Sequence, residues 1–206
     1  MRIDRAGWPF VHGALVPALV LAPVLPWLAA VFGALALFML YFFRDPDRTV
    51  PDLAGAVVSP ADGRVLIAGD AEPESAPPGD WKQVSIFLSP LDVHINRIPI
   101  GGRVARVEYT PGRFLAAYRP ESARVNERND VWIERDGAAV VCRQVVGVLA
   151  RRLVCRVGPG AAVRTGQRYG LMKFGSRIDL YLPPRAAVRV AAGDRVRGGE
   201  TVVATW

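Results

Sequence analysis

Hydrophobic and polar positions divide this 206-residue chain near residue 44. From Ala6 to Phe43 run 38 residues without one Asp, Glu, Lys or Arg, and beyond them apolar and polar residues alternate in short stretches. One helix of that length would extend ~57 Å, about twice the hydrocarbon thickness of a bilayer. Pro23 and Pro26 interrupt the run near its middle, and a proline inside a helix removes a hydrogen bond and clashes with the preceding turn. The pattern therefore predicts two helices, about residues 6–22 and 27–43, joined by a tight bend. A secretory signal needs only ~7–15 apolar residues and ends at a small-residue cleavage site, so this longer run reads as a membrane-anchoring hairpin.

From Pro51 onward the period changes to two. Gly63–Ala68, Gln83–Leu88, Gly102–Tyr109, Asp130–Glu134, Ala138–Val146, Arg152–Val157, Arg177–Leu182 and Val188–Val190 read as strands separated by Gly, Pro, Asp and Asn turns. Ala71–Asp80, rich in Pro, Glu and Ala, reads as an exposed loop. The segments Gly55–Val65 and Ala192–Ala204 echo each other and suggest Gly-Asp hairpins of the lipoyl-carrier kind. The expected fold is mainly β: a single sandwich- or barrel-like domain over residues 49–206, behind a hydrophobic helical hairpin in residues 1–48.

Charge sharpens this picture. Arg2 and Arg5 flank one end of the apolar run and Arg44 and Arg48 the other, so the positive-inside tendency places both ends, and the β domain, on the cytoplasmic side of the cell's inner membrane. Residues 49–206 carry 22 Lys and Arg against 16 Asp and Glu, a surplus of +6 that suits anionic lipid headgroups. Of the 26 basic residues 24 are Arg, so genome composition stays open as another source of the surplus. No aromatic-basic platform or recognition helix points to nucleic acid. Cys142 and Cys155 lie in apolar runs without CxxC spacing, which predicts reduced thiols and no metal site. His12 falls within the apolar run and belongs to the anchor.

Candidate chemistry centres on Leu171-Met172-Lys173-Phe174-Gly175-Ser176-Arg177-Ile178-Asp179-Leu180-Tyr181-Leu182-Pro183. Gly175-Ser176 puts a hydroxyl at the sharp start of a strand, where glycine allows unusual backbone geometry. Together with Ser59-Pro60-Ala61-Asp62-Gly63 and Asp92-Val93-His94-Ile95-Asn96-Arg97-Ile98-Pro99, this string resembles the phosphatidylserine decarboxylase proenzymes, in their short form. The resemblance covers roughly residues 44–206, with three motifs in the family's order.

The chemistry agrees with that resemblance. Decarboxylating an α-amino acid leaves a carbanion that needs a carbonyl electron sink, which no ordinary side chain supplies. Neither Lys82 nor Lys173 sits in a recognisable phosphate-binding context for pyridoxal phosphate. The resemblance implies a covalent pyruvoyl group derived from Ser176, made by self-cleavage between Gly175 and Ser176. It nominates Asp62 as an orienting carboxylate and His94 as the proton donor during turnover of phosphatidylserine to phosphatidylethanolamine. Asn126, Glu127 and Arg128 are candidates for holding the lipid's phosphate or carboxylate, the arginine offering a planar fork for oxyanions. Both fragments are expected to stay associated at an anionic membrane surface, with self-association of the whole left open.

One position departs from the family. Longer members carry His-x-x-His, whose second histidine is usually assigned to self-cleavage; here Arg97 stands in that place, and arginine is a poor base because it stays protonated. Either His94 serves both cleavage and turnover, or Asp62 and backbone strain drive cleavage while Arg97 stabilises the oxyanion; the first is preferred. The rival from another class is a non-catalytic, membrane-anchored lipoyl-like adaptor with Lys173 as carrier lysine at a hairpin.

Overall fold

Prolines mark the helix boundaries in the N-terminal unit. The structure, a computed structural model, describes residues 2–148, 152–174 and 176–206, and the chain separates into units Met1–Asp47 and Arg48–Trp206. Helix α1 covers Trp8–Leu21 and α2 covers Pro26–Phe42, each with proline in its first turn, where the missing N–H costs nothing. Their 14 and 17 residues extend about 21 and 26 Å, and no described helix is long and apolar enough to cross a membrane. The open end of the hairpin is tied by β1 (Arg2–Ile3) pairing antiparallel with β2 (Arg44–Asp45). There the Asp4 N–H donates to the Phe43 carbonyl (2.9 Å) and the Asp4 carboxylate accepts from Ala6 N. Within α1, His12 stacks on Trp8 at 5.5 Å.

The second unit is built from strands β3 (Ala56–Val58), β4 (Gly63–Asp70), β5 (Lys82–Leu88), β6 (Ile95–Arg97), β7 (Gly102–Thr110), β8 (Arg128–Arg135) and β9 (Ala138–Val146). It continues with β10 (Arg152–Cys155), β11 (Ala162–Val163), β12 (Arg168–Lys173), β13 (Ser176–Leu182), β14 (Ala187–Val188), β15 (Arg195–Val196) and β16 (Val202–Thr205). A one-turn helix α3 (Ser122–Val125) precedes β8. Eight strands form one curled antiparallel sheet in the order β11-β7-β8-β9-β13-β5-β4-β15, and β10-β12-β6 and β14-β16-β3 form two smaller sheets. The chain is therefore mainly β behind a helical hairpin.

Alternation explains the core. Ile178, Leu180 and Leu182 of β13 point inward with Val84, Ile86 and Leu88 of β5 and Val140 and Cys142 of β9, and burying each such aliphatic group stabilises by about 1.5–3 kcal/mol. Cys142 and Cys155 are free thiols; burial pushes the Cys142 thiol up to about 12 despite a Tyr169 hydroxyl at 3.1 Å.

The outer face of β13 is also buried, which its alternating pattern does not suggest. Arg177, Asp179 and Tyr181 are all buried, and the Ala71–Asp80 segment folds over Tyr181: the Ser75 carbonyl accepts from Arg143 Nη1 and from the Tyr181 hydroxyl (3.2 Å). That segment is a loop as expected, but Ser75 and Pro77 within it are buried rather than exposed.

The two echoing segments do not each form a hairpin. They pair with one another, β3 with β16 and β4 with β15, so residues from both ends of the unit interlock.

Candidate active site

Three of the candidate segments, those of Ser176, Asp62 and Glu127, lie along one row of the curled sheet, whereas His94 leads into β6 of a separate three-stranded sheet. Ser176, the first residue of β13, pairs with Leu88 on one side and Val146 on the other. On β4, Arg64 pairs with Phe87, so the same register continued by one pair sets Gly63, and Asp62 just before it, beside Leu88. Val146 in turn receives at its N–H the carbonyl of Glu127 (3.1 Å). Gly63 is required there: its φ is +155°, and a Cβ would lie 2.2 Å from the Phe87 carbonyl oxygen. The connection Ser89–His94 leaves from Leu88, and β6 pairs Ile95 with Leu171, so His94 returns abreast of Met172, a few residues before Ser176.

Ser176 is fully buried, and its Oγ has no hydrogen-bond partner among the described residues. A hydroxyl left in that state forfeits about 1–3 kcal/mol, which sets it apart from a serine that merely ends a turn. Gly175 itself lies outside the described residues.

His94 is buried, and its Nδ1 lies 3.0 Å from the Asp92 carbonyl. Since a carbonyl only accepts, Nδ1 carries the proton, and in the neutral ring Nε2 keeps the lone pair. Two residues on, Asn96 begins a chain of buried amides. Its Oδ1 accepts from Gln144 Nε2 (2.7 Å), and the Gln144 Oε1 accepts from Asn129 Nδ2 (3.1 Å). Gly170 makes room for this chain, because a Cβ there would lie 2.2 Å from the Val154 carbonyl and 3.0 Å from Gln144 Nε2. Asn96 and Gln144 were not singled out from the sequence; the one available signal was an amide inside the apolar run Ala138–Val146.

Asp62 is held by two donors: Arg48 Nη2 at 2.6 Å on one oxygen and the Gly198 N–H at 2.8 Å on the other. Arg48 also reaches Glu200 at 2.9 Å. Burial raises the Asp62 carboxyl above the usual aspartate value; Gly198 and Arg48 pull against it, and the nearby Asp92 carboxylate adds to it. The carboxylate is thus fixed by Arg48 and Gly198, whereas the imidazole Nδ1 takes the Asp92 backbone. Arg97 ties the loop to β6, its N–H donating to the Pro60 carbonyl (2.8 Å) and its Nη1 to the Gly166 carbonyl (3.1 Å).

Asn126, Glu127 and Arg128 separate in space. Asn126 is buried as a clip: its Nδ2 donates to the carbonyls of Leu115 and Val146 (both 2.8 Å), and its Oδ1 accepts the Leu115 N–H (3.0 Å). Glu127 uses its carbonyl on Val146, next to Ser176 in the row. Arg128 pairs with Val145, which pairs with Arg177, so its side chain is on the outer face, opposite to that of Ser176. There it lines a cleft of about 400 Å³ with Arg106, Trp132 and Arg143. Burial and the Arg143 charge lower its pKa. Burial would lower Arg143 as well, but the bidentate Asp130 carboxylate (2.7 Å to Nε and to Nη2) outweighs it and holds the guanidinium firmly protonated.

Comparison with known proteins decides the family. The profile described as Phosphatidylserine decarboxylase matches residues 35–204. The chain is 47% identical over 206 residues to a phosphatidylserine decarboxylase proenzyme of Nitrosomonas europaea, covering 99% of this chain and 95% of that protein. It is 49% identical over 203 residues to the one of Symbiobacterium thermophilum, covering 98% and 94%. The chain belongs to the phosphatidylserine decarboxylase family. As a member of that family the protein is a decarboxylase, a carboxy-lyase, and the carrier alternative loses its footing. Lys173 ends β12, which pairs with β10 and β6, while β13 lies in a different sheet, so Lys173 is not the apex of a β12–β13 hairpin.

Proposed function

We propose that the chain cuts itself between Gly175 and Ser176 and then decarboxylates phosphatidylserine to phosphatidylethanolamine. The observation that carries this reading is the buried Ser176 Oγ, which has no hydrogen-bond partner among the described residues, at the first position of β13 between Leu88 and Val146. Neutral serine is a weak nucleophile and needs a base, and the Nε2 lone pair of His94 supplies one. The Ser176 oxygen attacks the Gly175 carbonyl carbon as its proton passes to the base. The amide nitrogen leaves, giving an ester; loss of the Cα proton then expels the Gly175 carboxylate and leaves dehydroalanine on residue 176. Tautomerisation and addition of water release ammonia, and the pyruvoyl carbonyl remains at the new N-terminus.

Bound there, the pyruvoyl group supplies the electron sink for loss of CO₂. His94 then holds the proton that the substrate's Cα receives, one imidazole serving as base before the cut and acid afterwards. Asp62, held by Arg48 and Gly198, keeps a negative charge beside the Ser89–His94 connection. Arg97 donates its backbone N–H to the Pro60 carbonyl and its Nη1 to the Gly166 carbonyl, which supports the dual role of His94 over a cleavage in which Arg97 stabilises the oxyanion. The fragment 176–206 supplies β13 between β5 and β9, and β15 and β16 against β4 and β3, so strand pairing keeps the two chains together.

The lipid defines the location. At ~0.8 kcal/mol per methylene, acyl chains do not leave a bilayer, so the enzyme works at the membrane, with the apolar residues 6–43 as anchor and the +6 surplus of residues 49–206 facing anionic headgroups on the cytoplasmic side of the inner membrane. Borohydride added together with phosphatidylserine should leave the lipid covalently attached to the fragment beginning at residue 176. Lipid attached to a lysine, or to nothing while activity persists, would refute the proposal.

A further inference from the structure

We propose that the rim of the catalytic unit around Ser176 is itself a membrane-docking surface, seated at the headgroup boundary of an anionic bilayer. It rests on the reading of a bilayer lipid as substrate and adds a contact made by residues outside the N-terminal hairpin.

Three connections border the Ser176 end of the sheet, and each carries a large apolar side chain outward. Ser89–His94 departs from Leu88 and presents Leu91; the segment after Val146 presents Val148; and residues 111–121 present Phe114 and Tyr118. These four side chains are 64%, 55%, 39% and 60% exposed, respectively. Soluble surfaces seldom gather such groups at one end of a sheet without a partner to cover them.

The 111–121 segment is held in place rather than hanging loose. The Arg113 N–H donates to the Val125 carbonyl (2.8 Å) and the Glu127 N–H to the Arg113 carbonyl (3.0 Å). Asn126 clips Leu115 to Val146, and the Tyr118 ring meets Phe87 edge-on at 6.0 Å. Phe87 and Val146 lie on the two strands that flank β13, so the segment spans the Ser176 end of the sheet, with Tyr118 on the outer face against Phe87, the partner of Arg177.

Charge selects the occupant. Exposed Arg113 and Arg119 flank the two aromatic residues, and aromatic rings beside arginines match the interface of an anionic bilayer, where rings sit at headgroup level and guanidinium groups meet phosphates. Seating this end of the sheet on the bilayer keeps the substrate's acyl chains in an apolar medium while its headgroup approaches the Ser176 end.

The test uses the full chain and vesicles of phosphatidylglycerol with phosphatidylserine. The double variant Phe114→Ser, Tyr118→Ser should lose at least tenfold in rate on vesicles yet stay within twofold of wild type on a short-chain, monomeric phosphatidylserine. Independently of turnover, a Phe114→Trp variant should show extra tryptophan emission that brominated acyl chains quench. Unchanged rates on vesicles, equal losses on both substrates, or unquenched added emission would each overturn the inference. So would loss of a dimer with vesicle rates intact, which would make the rim an interface between copies of the chain. If wild type turns over neither substrate, the substrate reading itself falls; a wild type active on both while the variants match it defeats only the docking surface.

Discussion

Replacing Asn126 by Ala discriminates a structural clip from a lipid ligand. The buried Asn126 side chain makes three hydrogen bonds, one from the Leu115 N–H and two to the carbonyls of Leu115 and Val146. At a net ~1 kcal/mol each, their loss weakens the closure of the 111–121 segment by about 3 kcal/mol, a factor on the order of 10² in its opening equilibrium. Hydrogen exchange read by mass spectrometry on peptides covering residues 111–121 should therefore accelerate about 10²-fold where exchange follows opening. Because Val146 is Ser176's neighbour in β9, self-cleavage should slow as well. An Asn126→Ala variant with unchanged exchange in 111–121 and only a raised KM for lipid would show that the amide binds substrate and that the clip argument is wrong.

Other consequences are equally direct. Burial raises the Asp62 carboxyl, so its anionic form is present above that raised value and lost as pH falls through it, above the ~3.9 of a free aspartate; the ratio of wild-type to Asp62→Asn cleavage rates should therefore fall toward one on acidification. A ratio that does not change with pH would remove the Asp62 charge from the account. His94→Ala should abolish both cleavage and turnover, whereas Arg97→Ala should slow cleavage without eliminating it; normal cleavage of His94→Ala on a denaturing gel would confine the imidazole to turnover. Gln144→Leu strands the Asn96 Oδ1 and Asn129 Nδ2 at about 1–3 kcal/mol apiece, which a lower urea midpoint in a Ser176→Ala background should register; an unchanged midpoint would remove the amide chain from the account.

What could be read from the sequence was whatever local chemistry dictates. The hairpin was legible because Pro26 and a charge-free run leave little alternative, and β9 was found at its own bounds, Ala138–Val146, because nine residues of apolar character bounded by Gly137 and Gly147 suit a covered strand. β6 and β12 were not read as strands. Ile95–Arg97 has three residues, and Arg168–Lys173 carries Gly170 at its centre, which reads as a break until the Val154 carbonyl and Gln144 approach it. Nor could alternation reveal that Arg177, Asp179 and Tyr181 are buried. Arg177 Nε from the same strand and Ser85 Oγ from a strand some ninety residues away in sequence both donate to Asp179 Oδ1, at 2.6 and 2.5 Å. The motifs Ser59–Gly63, Asp92–Pro99 and Gly175-Ser176 supplied the candidate residues, but where each falls depends on strand register, and that register turned Arg128 to the face opposite Ser176.

Intact-mass analysis of the purified chain tests the central claim most directly. Wild type should yield two species, residues 1–175 and the 31 residues 176–206, the smaller lighter by one ammonia than the same peptide with an N-terminal serine, while Ser176→Ala should give a single full-length mass. A wild-type chain that stays intact at full mass and still decarboxylates phosphatidylserine would contradict the account.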